Sequence, residues 1–332
     1  MSTTIATLGG VTLSSTGSSF DDALEAARAY AAKSRAPRTL DAYAYQWRVF
    51  TAWCVEHGAE PLPATPTTLA AYVAHLAKAS RTTTRRAWKP SSIALALVAI
   101  RAAHQSAGVE PATKHPAVVA VLRGMRRELG TAQRRVAPVT VPELRAMLDA
   151  LPDGLAATRD RALLVCGMVG ALRRSELVAL DVADVAETDK GLVVTVRRSK
   201  VDQEAAGAKV PLPRGAHAAT CPVRALRAWL DASGVTSGAL FRAVDRHGNV
   251  GERLAGADAA RIVKRTAARA GLDAATFSGH SLRAGLATQA ARSGKSDRAI
   301  MAQTGHKSRA TLDRYVRRAG VWEENAADGL GL

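Results

Sequence analysis

Apolar residues recur at three- and four-residue steps through most of the chain, the pattern of helices that bury one face. In PRTLDAYAYQWRVFTAWCVEHG the positions Leu40, Tyr43, Trp47, Phe50 and Cys54 form such a stripe, with Pro37 at its start and Gly58 as a C-terminal cap. Acidic residues open FDDALEAARAYAAKS and good helix formers follow, which predicts a helix from near Phe20 to near Ser34. The same period predicts helices over residues 67–79, 91–107 and 115–129, so this region reads as an all-helical domain. LGGVTLSSTGSS has no sustained period, and residues 1–18 read as a disordered N-terminal segment. TAQRRVAP breaks the period again like an exposed linker over residues 131–138, which leaves a helical domain at 19–130 and a second domain at 139–332.

The second domain opens on Thr140-Val-Pro-Glu143, a capping box with proline in the first turn, and residues 159–172 predict a more apolar helix. The period changes after Leu180. GLVVTVRRS is a β-branched run, KVPLP is a second, and the polar QEAAGA between them reads as a turn, so a small antiparallel sheet is expected. Helices return at residues 222–233, 257–270, 280–292, 297–304 and 309–318, with Gly271, Gly294 and Gly305 in the gaps. The predicted fold class is therefore mainly α with a small antiparallel β-sheet (α+β) in the C-terminal domain.

Composition adds a partner to this outline. The 332 residues carry 46 Lys and Arg against 29 Asp and Glu, a net charge of +17, while 47% are hydrophobic. Folded domains with a polyanionic partner fit these values better than a basic disordered tail. Residues 1–135 hold 17 basic and 8 acidic residues and residues 136–332 hold 29 and 21, so both domains share the excess. That division points to a two-domain clamp around one long polyanion. No apolar run is long enough to cross a bilayer and no signal peptide opens the chain, so a soluble, cytoplasmic protein without a membrane partner is expected. Cys54, Cys166 and Cys221 are far apart, and Cys54-x-x-His57 lacks the second pair a zinc site needs. Gly294-Lys295-Ser296 matches the end of a P-loop, but Gln289 stands where that loop needs glycine. Arg81, Arg85, Arg86 and Lys89 surround Trp88 just before Ser91 and Ser92 at a predicted helix start, a candidate phosphate contact; Arg35 and Arg38 are further candidates for contact with the polyanion.

The candidate chemistry gathers around Tyr315, the one tyrosine of the second half, set among Arg309, Arg314, Arg317 and Arg318 with His306 nine residues upstream. His280-Ser-Leu-Arg283 spaces an imidazole and a guanidinium three apart, so both can reach one anion. Arg173 and Glu176 in GALRRSELVAL share that spacing, which lets Glu176 fix the arginine fork. Lys200 lies at the hairpin turn; Lys209 competes with it, as Arg174 does with Arg173.

In this order GALRRSEL, SK, HSLR, GH and Y resemble the motifs of the tyrosine recombinase (phage integrase) family, and the first domain is similar to that family's core-binding domain. The resemblance implies a site-specific recombinase that cleaves and rejoins DNA through a 3′-phosphotyrosine, without cofactor, metal or ATP. Its implied catalytic residues are Arg173, Lys200, His280, Arg283, His306 and Tyr315, with Glu176 behind Arg173. Arg173 and Arg283 would clamp the phosphate, Tyr315 would attack it, His280 would take the phenol proton, Lys200 would protonate the leaving oxygen and His306 would donate to a phosphate oxygen. Val201 after Lys200 departs from the family's Lys-Thr. The implied partner is double-stranded DNA with an inverted-repeat site, held by a homotetramer on two duplexes that is monomeric or weakly associated without DNA. The resemblance also implies a bacterial or mobile-element source, nucleoid association, a simple enzyme without an arm-site domain, and a C-terminal WEENAADGLGL that docks on a neighbour. Type IB topoisomerases use a similar residue set, and an inactive DNA-binding relative is a third reading; the small helical first domain favours the recombinase.

Overall fold

Proline opens most helices of the first half, where its missing N–H leaves no intrahelical bond unmade. A computed structural model describes residues 18–79, 88–130, 136–197 and 207–319. After α1 (Ser18–Lys33) come α2 (Pro37–Glu56), α3 (Pro66–Lys78), α4 (Pro90–Ser106) and α5 (Pro116–Leu129), each of the last four with proline in its first turn. The chain divides into two units, Met1–Gln133 and Arg134–Leu332. In the first, α2 packs on α4 and α3 on α5. Phe50, Cys54, Leu69, Tyr72, Ile93 and Ile100 form its core. The expected stripe on α2 holds only in its second half: Phe50 and Cys54 are buried but Leu40 is 42% exposed, and Trp53 takes a core place. Trp88 is also a core residue and not a ring presented to a ligand.

In the second unit the capping box forms as expected, with Thr140 N–H donating to Glu143 at 2.9 Å to start α6 (Val141–Asp149). Next comes α7 (Leu155–Val169), buried on nearly every side, so its sequence has no helical period to mark its ends. Residues 159–172 were the expectation; the helix instead stops at Val169 because Gly170-Ala171-Leu172 turns the chain into α8 (Arg174–Ala179). Strands β1 (Val185–Thr188), β2 (Gly191–Val196) and β3 (Ala208–Pro213) form an antiparallel sheet in that order, Val194 standing opposite Val185 on one side and Val210 on the other. Leu192, Val194, Val196, Val210 and Leu212 face the core, where α9 (Pro222–Ser233) contributes Trp229. A second hairpin, β4 (Arg242–Val244) with β5 (Val250–Arg253), precedes α10 (Gly256–Arg269).

Then come α11 (Ser281–Arg292), α12 (Asp297–Thr304) and α13 (Arg309–Ala319). Ala287, Ile300 and Leu312 are buried among these three helices, and Tyr315 packs against that cluster. One glycine sets how the unit closes. The segment before α6 crosses α11 so closely, with Val139 N–H donating to Ser281 O at 3.0 Å, that a Cβ on Gly285 would lie 1.8 Å from the Val139 carbonyl oxygen.

Candidate active site

The turn after α7 sets the first arginine. Ala171 adopts φ +46°, a left-handed conformation that costs a non-glycine residue about 1 kcal/mol, and the chain emerges at Arg173, the N-cap of α8. Buried Glu176, one turn on, accepts from the Arg173 backbone N–H at 2.8 Å and from its Nη1 at 2.5 Å. A carboxylate thus grips both ends of one residue, leaving the outer part of the fork for a ligand. Arg174 is elsewhere: its alkyl chain lies over Gly279, where a Cβ would come within 2.7 Å of Arg174 Cδ.

α11 carries the second arginine. His280 is the N-cap, just before the helix and not inside it as the sequence suggested, and Arg283 follows one turn later. Arg283 is 2% exposed; Nη1 donates to the Ala171 carbonyl at 2.8 Å, and Nη2 is buried with no hydrogen-bond partner. An unmatched buried donor of a charged group costs on the order of 1–3 kcal/mol or more, so this geometry favours an incoming anion.

Packing of α13 on α11 brings in Tyr315. Its hydroxyl lies 2.6 Å from His280 Nε2, and its ring stacks on His306 at 5.6 Å between centroids and 22° between planes. His306 is placed by the end of α12: Gly305 caps the helix in the left-handed region and Thr304 Oγ1 lies 2.9 Å from His306 Nδ1. Gln303 anchors this end, its side-chain amide donating to the Val169 and Pro211 carbonyls at 2.9 Å each. One carboxamide therefore ties the His306 turn to the end of α7 and to β3.

The crowding of cations shows in the titration of the site. Desolvation lowers Arg283 most, with Arg173 next, while Glu176 and Tyr315 oppose, to about 10; the group stays charged at neutral pH. Desolvation, then Arg283, Arg173 and His280, press His306 down to about 4. His280 is lowered by desolvation and by Arg283 and Arg173, which favours its neutral, proton-accepting form. Two guanidiniums and the unmatched Nη2 thus favour an anion, with the Tyr315 phenol and the His280 and His306 imidazoles close by.

Arg173, Glu176, His280, Arg283, His306 and Tyr315, scattered over more than 140 residues, thus meet in one place. Lys200 lies outside the described residues, as do Arg81, Arg85, Arg86 and WEENAADGLGL. Lys209 is an exposed residue of β3 opposite Thr195. In the first unit Lys89 is the N-cap of α4, with Ser91 and Ser92 in its first turn, and the Lys89 side chain makes no cap hydrogen bond among the described residues. Arg38 is exposed, and Arg35 stacks over the Tyr43 ring at 5.3 Å. His57 stacks on Trp53 and donates Nδ1–H to its carbonyl, while Cys54 is buried. Among the described residues no group of three or more His, Cys, Asp or Glu is placed to hold a metal, and no helix is long and apolar enough to cross a membrane. Sequence reading missed Ala171, Gln303 and Thr304. Ala171 looks like a helix residue and the Gln303 contacts span 92 and 134 positions; only the polar Thr304 directly before Gly305-His306 was a local signal.

The architecture of the second unit is that of the tyrosine recombinases. The model of the phage integrase family matches residues 139–320, and an integrase/recombinase xerD homolog from Selenomonas ruminantium is 36% identical over 304 residues, 90% of this chain and 86% of that protein. The chain belongs to the phage integrase family and is a site-specific recombinase. Its fold is shared with a lambda integrase dimer bound to a COC′ core site (TM-score 0.57, 18% identity, 90% of this chain and 94% of that one). The Tn1549 transposon integrase in complex with transposon right-end DNA is similar to the same degree (TM-score 0.58, 15% identity, 90% and 97%).

Proposed function

We propose that the enzyme cuts one DNA strand by attack of Tyr315 on a phosphodiester held between Arg173 and Arg283. The observation that carries this reading is the Tyr315 hydroxyl at 2.6 Å from His280 Nε2, in a unit where Nη2 of Arg283 is buried and unmatched. As the Tyr315 oxygen bonds to phosphorus, its proton passes to His280 Nε2. The P–O5′ bond breaks, and Lys200 gives the leaving oxygen its proton. Charge that builds on the nonbridging oxygens is met by the two guanidiniums and by His306. The product is a 3′-phosphotyrosine, which a 5′-hydroxyl from a second strand reverses, so the bond energy is kept and the chemistry calls for neither cofactor nor ATP. Glu176 keeps Arg173 in place throughout.

Strand exchange needs two duplexes, and the reading assigns a homotetramer on inverted-repeat sites, with both basic units of each chain contributing DNA contacts. Arg35, Arg38, Arg81, Arg85, Arg86, Lys89, Ser91 and Ser92 would serve the grip of the first unit. The DNA complexes of lambda and Tn1549 integrases support a duplex partner. The work belongs in the cytoplasm, on nucleoid or mobile-element DNA. To test it, covalent complexes formed on a genomic DNA library would be captured and sequenced. Adducts confined to an inverted repeat, with joined products between two copies, are expected; adducts spread without sequence preference, with relaxed circles only, would instead mark a topoisomerase.

A further inference from the structure

The hydroxyl of Thr304 has one proton, and it is already committed: it is donated to the Ile300 carbonyl at 2.7 Å. Toward His306 Nδ1, 2.9 Å away, the same oxygen can therefore only accept. His306 must carry its proton on Nδ1 and present a bare Nε2. A neutral His306 held this way has nothing to donate from Nε2 to a phosphate oxygen. Thr304 is 2% exposed, so its hydroxyl has little access to water as an alternative partner.

We infer that Thr304 is a positioning residue that holds His306 as the Nδ1–H tautomer, so that an anion enters the site together with a proton taken from solvent onto His306 Nε2. The second half rests on the reading of the site as a phosphate site. The groups that face His306 are Arg283 of α11, His280 at the N-cap of that helix, Arg173 at the N-cap of α8, and the stacked Tyr315 of α13. In the free site two guanidiniums oppose a further cation, consistent with the low pKa of about 4. An anion between them offsets that repulsion, and the proton then becomes stable on Nε2. The site thus gains a cation only when a phosphate is present, and avoids the cost of holding it empty.

The test is 15N–1H long-range correlation spectroscopy of the histidine rings in the full chain, with His306 signals identified by their loss in His306→Gln. At pH 7 the wild type should show the Nδ1–H pattern. Thr304→Val should move His306 toward the Nε2–H form, and Thr304→Ser, which keeps the hydroxyl, should restore the wild-type pattern even if valine disturbs packing. Adding sulfate, whose charge is constant here, should raise the His306 titration midpoint by about one pH unit or more. An Nε2–H pattern in the wild type, or an unchanged pattern in a folded Thr304→Val, overturns the role of Thr304. Sulfate that shifts His280 but leaves the His306 midpoint fixed overturns the coupled protonation. Sulfate that moves no site histidine removes the phosphate reading instead, while the tautomer result stands or falls by itself.

Discussion

Arg283 is where burial, charge and an unmatched donor coincide. Its Nη1 is fixed on Ala171 and its Nη2 is left for a ligand, so a lysine, with one compact ammonium, cannot serve both. Arg283→Lys should slow single-turnover cleavage about a hundredfold or more while changing duplex affinity less than about tenfold; cleavage within a few-fold of wild type would remove Arg283 from the clamp. The histidines set the acid side. Because the folded chain holds His306 at about 4, the unfolded chain binds a proton between about pH 6.5 and 4 that the folded chain refuses, and stability falls as pH drops through that window. Urea midpoints at pH 7 and 4.5 should therefore converge for His306→Gln more than for the wild type. The site was legible at this scale because its residues fall in short, ordered groups: His280 with Arg283, Arg173 with Glu176, His306 nine before Tyr315. Thr304 and Gln303 were not, since each acts through a contact that only the folded turn creates.

Helices with a proline at one end and a glycine at the other were the most legible elements; Pro222–Ser233 was read to the residue. The strands missed were short and exposed: three of the four residues in β1 and in β5 face solvent, so no buried alternation existed to see. The end of α7 was missed because alanine at 171 signals helix while the structure needs a left-handed turn. Two substitutions probe these joints. Gly285→Ala drives a methyl into the Val139 backbone, which cannot swing aside like a side chain, and should cost about 3 kcal/mol in denaturant unfolding. Gln303→Leu releases the Val169 and Pro211 carbonyls and loosens the His306 turn from α7 and β3. Its cleavage rate should fall about tenfold, the size of one lost hydrogen bond, with duplex affinity preserved.

At the scale of the whole molecule the net charge of +17 has two uses. On the proposed reading a few cations surround one phosphate, and the rest position the duplex through sequence-independent contacts. Affinity for DNA should thus fall steeply with salt, by about a thousandfold between 50 and 200 mM if roughly six phosphates are neutralised; a flat salt response would contradict binding through the positive charge. Two basic units in series were visible from composition, whereas the meeting of residues from α8, α11 and α13 required the fold. The assignment of Tyr315 as nucleophile is tested by covalent trapping on a nicked duplex carrying the recombination site. Wild type should give a protein–DNA adduct that survives denaturation and is released by protease digestion, and Tyr315→Phe should bind the same duplex and give none. An adduct that persists in Tyr315→Phe would mean that another residue attacks the phosphate.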